Sequence, residues 1–328
     1  MFARLSIPTP FQVGPVNAYL SGRTLVDPGP GSEEAWAALL DELETRGLGP
    51  TDVEQVLVTH PHPDHFGLAS RLRDHGARVV ASPETARIIA DFDGRLDYEQ
   101  SFFADFFERH GMARTTAETV TDLPESFLSV APSVETDVKL ADGDTVAVGE
   151  TRLTAERVTG HAPGETIFTY ETDAEGDTHA VADERASALV GDHVLAEITP
   201  NPLLQPPTEE GGERPRVLPA FNRSLERLRD REFDRFLPGH RAEIENPSQR
   251  IDEVLAAHED RTANVREIVA EEGPTTAVEV MDGLFDDLPA TEYFPAMSEA
   301  VGHLDVLAER DEVEAREQGG VVVWEVTA

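Results

Sequence analysis

Cysteine is absent from the 328 residues. That excludes a disulfide framework, a thiolate metal ligand and a cysteine nucleophile. Lysine is almost absent too, since Lys139 is the only one among 27 basic residues. Basic residues are scarce against 64 acidic ones, and the formal charge is −37. A continuous basic groove for nucleic acid is disfavoured on that count. No apolar run approaches the length of a transmembrane helix, and the N-terminus shows no basic-then-apolar signal pattern. The expectation is a soluble, cytoplasmic protein with no membrane partner. The charge reads as environment rather than as a ligand signal. Self-repulsion destabilises so acidic a chain, and molar salt removes it by shrinking the Debye length to about 3 Å.

What is present is chain enough for one large domain and a small one, with a 39% apolar fraction to build the cores. One stretch stands out, Val56-Leu57-Val58-Thr59-His60-Pro61-His62-Pro63-Asp64-His65-Phe66-Gly67. Val56 to Thr59 reads as a buried strand. Pro61 and Pro63 deny the chain a helix or a paired strand until Asp64. Leu68 to Arg73 then reads as a short helix, and a strand end before a helix start is where α/β proteins keep their chemistry. A lone loop histidine is ordinarily a polar surface residue. Three imidazoles and a carboxylate within six residues, on a firm strand, are instead a zinc-type ligand set.

This stretch resembles the signature of the metallo-β-lactamase superfamily. Three later sites match it in order: Gly160-His161-Ala162-Pro163-Gly164, Val190-Gly191-Asp192 and Leu237-Pro238-Gly239-His240. The resemblance implies an α/β fold, the αββα sandwich, with two divalent metal ions, zinc first and iron or manganese as alternatives. It implies that His60, His62 and His161 hold one ion. Asp64, His65 and His240 would hold the other, with Asp192 between them. Asp64 would also orient an attacking hydroxide shared by the ions, whose charge lowers the pKa of water towards 7. Asp27, in Asp27-Pro28-Gly29, resembles the family's orienting aspartate, which accepts a hydrogen bond from a ligand imidazole. The other reading of Asp27 is a turn-initiating residue. His193 is left off the set, because neighbours on an extended chain point opposite ways. Arg241 reads either as a contact for an anionic substrate or as a surface arginine paired with acid.

Around these sites, alternating strands and helices predict an α/β layer architecture. Ser32 caps a predicted helix through Arg46, with Glu33 and Glu34 in its first turn. Residues 91–133 interrupt the rhythm with Tyr98, Phe102, Phe103, Phe106 and Phe107, one helical stripe. Phe92 and Phe127 flank that stripe. Such a stripe is ordinarily core, and here a lid or apolar substrate wall is the alternative. Val138 to Leu140, Thr145 to Val148 and Thr151 to Val158 read as a meander delivering His161. Glu171 to Arg185 reads as an acidic surface excursion, and Glu209 to Glu213 as loop. Asn246-Pro247 marks the predicted boundary between a catalytic domain, 1–246, and a C-terminal domain, 247–328. Three helices and a hairpin follow there, a winged-helix layout. It resembles the small C-terminal domain of long lactamase-beta-like hydrolases. Twenty acidic residues against five arginines from Gln249 onward leave it no basic groove. The loss of lysine in favour of Asp and Glu resembles salt-accumulating haloarchaeal proteins.

The intact ligand set favours hydrolysis. The absence of cysteine separates the chain from β-lactamase subclasses that use a metal-bound cysteine, and the resemblance is to glyoxalase II-type thioesterases. The expected activity is hydrolysis of a small thioester or ester. The alternatives are a metal-dependent endoribonuclease and a mononuclear-iron persulfide dioxygenase. The expected partner is a small-molecule substrate, with nucleic acid disfavoured and a homodimer left open.

Overall fold

Short strands from the first half of the chain build the first sheet: β1 (Ala3–Ile7), β2 (Val16–Ser21), β3 (Thr24–Val26), β4 (Gln55–Leu57), β5 (Arg78–Ala81) and β6 (Val138–Lys139). They lie side by side in chain order, antiparallel from β1 to β3 and parallel from β3 to β6. The structure is a computed structural model describing residues 2–122, 128–172, 185–208 and 211–327. The second sheet has the order β11-β10-β9-β8-β7. Its strands are β7 (Thr145–Val148), β8 (Thr151–Arg157), β9 (Thr166–Thr172), β10 (Arg185–Gly191) and β11 (Arg235–Pro238). Only the β10–β11 pair is parallel in that sheet. The expected three-strand meander is corrected here. β6 pairs with β5 in the first sheet, and the antiparallel run begins at β7.

The two sheets pack face to face. Tyr19, Val26, Leu57 and Val80 from the first meet Val148, Leu153, Phe168, Leu189 and Leu237 from the second in one apolar layer. The other face of the first sheet, with Leu5, Leu25, Val56 and Val79, is covered by helices. These are α1 (Glu33–Glu44), α3 (Ala69–Asp74) and α4 (Pro83–Ala90); α2 (Pro63–Phe66) is a single turn between them. The Ser32 side chain accepts the Ala35 N–H at 3.1 Å, as its sequence position predicts. Leu39, Leu43 and Leu72 are fully buried, each contributing about 1.5–3 kcal/mol relative to exposure. Both sheets belong to one compact unit, residues 1–93, 125–200 and 226–251.

The second unit comprises residues 94–124, 201–225 and 252–328. The predicted cut at 246/247 leaves out its two earlier segments. The cause is the phenylalanine stripe, which the structure places on α5 (Phe92–Arg109). Phe103 and Phe107 are buried with Leu204, Val265, Val280, Met297, Leu304 and Trp324 in one core. Phe294 packs edge-on against Phe103, with centroids 4.9 Å apart. The stripe is core. Helices α6 (Arg114–Thr121), α7 (Val217–Arg229), α8 (Pro247–Glu272), α9 (Ala277–Leu284) and α10 (Tyr293–Glu309) follow, and the hairpin β12 (Val313–Gln318) and β13 (Val321–Val326) closes the chain. Thr276 and Glu279 form a reciprocal capping box at the start of α9. The expected excursion over Glu171 to Arg185 lies outside the described residues, except at ends that are strand, and so do Phe127 and part of the 209–213 loop.

Candidate metal centre

The chain runs on past β4 with Val58 still donating to the Val80 carbonyl at 2.9 Å, which carries His60 to the sheet's edge. His62 is the N-cap of α2 and Pro63 its first residue, a position that needs no N–H donor. The tight turn returns the His65 N–H to the His62 carbonyl at 2.9 Å, so four side chains fan out from one short run of backbone. On the second sheet, β10 has a register shift between Leu189 and Gly191 against β11, and Gly191 takes a φ of 50°. Bulges re-aim side chains, and this one precedes Asp192. A Cβ on Gly191 would stand 2.7 Å from Thr59 Oγ1. A Cβ on Gly239 would collide with Asp192 Oδ1 and come within 2.6 Å of His65 Cε1. Both glycines are therefore required by close approach.

All seven residues singled out in the sequence converge. His62 Nδ1 lies 3.1 Å from His60 Nε2 and 2.9 Å from His161 Nε2. Beside this trio, His240 Nε2 lies 3.3 Å from Asp64 Oδ2, and His65 Nε2 lies 3.9 Å from Asp64 Oδ1. Asp192 stands between the two groups. Its Oδ1 is 3.5 Å from His65 Nε2, while its Oδ2 is 3.6 Å from His240 Nε2 and 3.7 Å from His161 Nε2.

The outer faces of the imidazoles are engaged, and this sets their tautomers. The Thr59 hydroxyl donates to Asp27 Oδ2 at 2.7 Å and so accepts from His60 Nδ1–H at 2.9 Å. His65 Nδ1–H donates to Asp27 Oδ2 at 2.9 Å, and Asp27 Oδ1 accepts the Thr59 N–H at 2.9 Å. His240 Nδ1–H donates to the Pro15 carbonyl at 2.9 Å. His60, His65 and His240 thus turn their Nε2 atoms inward, with Nδ1 committed to the outward bond. Asp27 also sits near His60 and His65 as a third possible metal-holding group. Its oxygens are taken by Thr59 and His65, so it acts as an orienter. The sequence identified Asp27 but not Thr59, whose role lies in a hydroxyl that strand patterning does not distinguish. Pro15 acts through a backbone carbonyl, which no side-chain signal announces.

The charges are graded. Burial, reinforced by His65 and the other imidazoles, holds His60 well below the ordinary histidine pKa, and burial with His161 takes His62 down to about 3. Burial pushes Asp192 and Asp64 up, but His65 and His240 outweigh it and hold both carboxylates low. Burial pulls His65 and His240 down, yet the carboxylates around them, Asp192 foremost, raise both. The field between Asp64 and Asp192 therefore favours positive charge. His65 Nε2, His240 Nε2 and Asp192 Oδ1 are buried without a hydrogen bond of acceptable geometry. Unpartnered buried polar atoms cost about 1–3 kcal/mol each. Three of them aimed at one another, in an imidazole and carboxylate set, fit divalent cations such as zinc, iron or manganese.

Arg241 follows His240 with a φ of 67° and its guanidinium is 4.0 Å from Glu197, both side chains exposed. That is the loosely paired surface arginine. A shallow pocket of about 220 Å³, lined by Arg4, Ser6, Pro15, Asn17 and Arg241, borders the same loop. Asn17 Nδ2 braces the loop through the Pro238 and Arg241 carbonyls, each at 2.9 Å, and the Tyr19 hydroxyl donates to Pro238 at 2.8 Å.

The sequence model of the metallo-beta-lactamase superfamily matches residues 12–174. The chain is 29% identical over 324 residues to the probable metallo-hydrolase YqjP of Bacillus subtilis, covering 98% of this chain and 96% of that protein. A metallo-beta-lactamase family protein from Thermus thermophilus superposes with a TM-score of 0.77 at 28% identity, over 99% of this chain and 98% of its own. A beta-lactamase domain protein from Burkholderia ambifaria gives 0.73 at 25% identity, over 99% and 92%. Among the described residues no helix is long and apolar enough to cross a membrane.

Proposed function

We propose that this chain, a member of the metallo-beta-lactamase superfamily and a metallo-hydrolase by that family, hydrolyses a small thioester or ester with two divalent metal ions. The observation that carries the reading is the convergence of His65 Nε2, His240 Nε2 and Asp192 Oδ1, buried and without hydrogen bonds, beside the His60, His62 and His161 trio. His60, His62 and His161 would hold one ion, and Asp64, His65 and His240 the other, with Asp192 contacting both. Bound there, the ions supply Lewis acidity and lower the pKa of water towards neutrality. Thr59, Asp27 and the Pro15 carbonyl hold Nδ1 of His60, His65 and His240, so each Nε2 faces the site, where a bound cation would take the place of any proton. Asp64 has two carboxylate oxygens facing different imidazoles, which lets one bind while the other orients the nucleophile.

The choice of a thioester or ester rests on the full seven-residue set and on a chain that has no cysteine for a mixed thiolate site. We read the C-terminal helices and hairpin as a winged-helix-like module and the acidity as adaptation to molar salt. A melting temperature that falls as potassium chloride is raised would contradict the second point. Thiol release from a panel of acyl thioesters, measured in molar potassium chloride with added zinc or with a chelator, tests the activity. Chelator-sensitive release supports the reading. No release from metal-loaded protein would shift it to phosphodiesters or, if oxygen is consumed, to persulfide oxidation.

A further inference from the structure

We infer that Glu165 and His193 are a positioning pair that locks the loop bearing His161 to the loop bearing Asp192, and so governs how tightly metal is held. This rests on the reading of the seven side chains as a metal-binding set. Neither residue belongs to that set. Both are fully buried, and His193 Nδ1–H donates to Glu165 Oε2 at 2.9 Å.

A carboxylate in such a place needs a reason. Burying a charged group costs several kcal/mol unless it is well paired, and replacing buried ion pairs by apolar residues is often neutral or stabilising. Here the satisfaction is incomplete, because Glu165 Oε1 has no hydrogen-bond partner. Stability alone does not account for the pair. Its location does.

Glu165 comes four residues after His161, and the end of that loop is tied down. The Gly164 carbonyl accepts from Ser82 Oγ at 2.7 Å and from Thr85 Oγ1 at 3.1 Å. The Val158 N–H donates to the Glu165 carbonyl at 3.1 Å, and the Thr166 N–H donates to the Thr59 carbonyl at 2.9 Å, beside His60. On the other side, His193 directly follows Asp192, and its N–H closes a turn on the Val190 carbonyl at 3.0 Å. Asp192 points towards the metal-binding atoms, and His193 points towards the back of the same loop. The two loops therefore meet twice: at the front through His161 Nε2 and Asp192 Oδ2, 3.7 Å apart, and at the back through the shorter Glu165–His193 bond. The back contact repeats the carboxylate-to-Nδ1 geometry of Asp27 and His65, also 2.9 Å. Asp27 sets one imidazole; Glu165 sets the spacing of two loops.

Zinc titration of apo-protein against a chromogenic chelator reads this role apart from activity. Glu165→Ala is expected to weaken zinc affinity about tenfold, the low end of the range for losing groups that hold metal-binding side chains in place. Glu165→Gln keeps an oxygen that accepts the His193 Nδ1–H, so its affinity stays near wild type. A lowered apo melting temperature with unchanged zinc affinity in Glu165→Ala would mean a purely structural role and overturn the inference. Should that variant fail to fold, His193→Phe fills the ring's volume without a donor and is judged by the same two outcomes. Wild-type protein that takes up no zinc, iron or manganese overturns the metal reading together with this inference. Two equivalents in wild type and unweakened Glu165→Ala overturn this inference alone.

Discussion

Asp27 Oδ2 receives two hydrogen bonds, from His65 Nδ1 at 2.9 Å and from the Thr59 hydroxyl at 2.7 Å, and through Thr59 it also reaches His60. One carboxylate thus sets the tautomers of two imidazoles in different groups. Its backbone has a φ of 51°, unusual for a residue other than glycine, and such conformations cost about 1–3 kcal/mol. Asp27→Asn keeps the volume but replaces one acceptor oxygen with a donor. Metal affinity is expected to fall about 10–100-fold, as for other lost partners of metal-binding histidines. Calorimetric titration of apo-protein measures it, and wild-type affinity in the variant would rule out the orienting role.

Asp64→Ala and His62→Ala separate chemistry from folding. Each removes a side chain that faces the centre while leaving the sheets' cores intact. Turnover is expected to drop by about 10²–10⁴-fold, the usual range for losing a positioned catalytic group. Circular dichroism should remain that of the wild type. Full activity in either variant would remove that residue from the mechanism.

Gly239→Ala tests the close approach of the last loop. The new Cβ would run into Asp192 and His65, and Gly239 is held on both sides by backbone bonds: its N–H donates to Gly191 at 2.7 Å and its carbonyl accepts from Asn17 at 2.6 Å. The loop cannot retreat freely. Denaturant unfolding should show a loss of about 1–3 kcal/mol, the range for overpacking, accompanied by weaker metal uptake. Unaltered stability and uptake together would show that the loop yields.

Stability should fall in acid because of two neutral histidines of the second unit. Burial takes His110 down to about 4 against a hydrogen bond to the Phe106 carbonyl, and burial with His303 takes His258 to about 4. Both pKa values lie below the ordinary 6.5, so the unfolded chain binds more protons between pH 6.5 and 4. The contribution is complete above about pH 6.5 and is lost as pH falls towards 4, by up to roughly 3 kcal/mol per histidine. Chemical denaturation across that window measures the slope, and His258→Gln should flatten it. A flat profile in the wild type would mean that the histidines are not held neutral.

The residues at the centre were legible because four of them crowd into one short stretch, and the other three follow glycines at strand ends. What holds them was less legible. Thr59 acts through a hydroxyl and Pro15 through a carbonyl, and neither leaves a pattern in composition or spacing. Glu165 and His193 meet across 28 residues of chain, so only the fold pairs them. The strands were found largely where hydrophobic runs predicted them. Pairing partners were not, since β6 is a two-residue strand whose sheet is decided by β5. The second unit was hidden for a similar reason. An aromatic stripe announces burial but not its partners, and Phe103 and Phe107 pack with residues nearly two hundred positions later.

The metal content of the purified chain tests the central claim most directly. Elemental analysis of wild-type protein, after dialysis against zinc and removal of the excess, should give two equivalents per chain. His62→Ala, which breaks the trio with His60 and His161, should give about one while keeping a folded spectrum. Wild-type protein that retains no metal, or a His62→Ala variant that still retains two equivalents, would contradict the account.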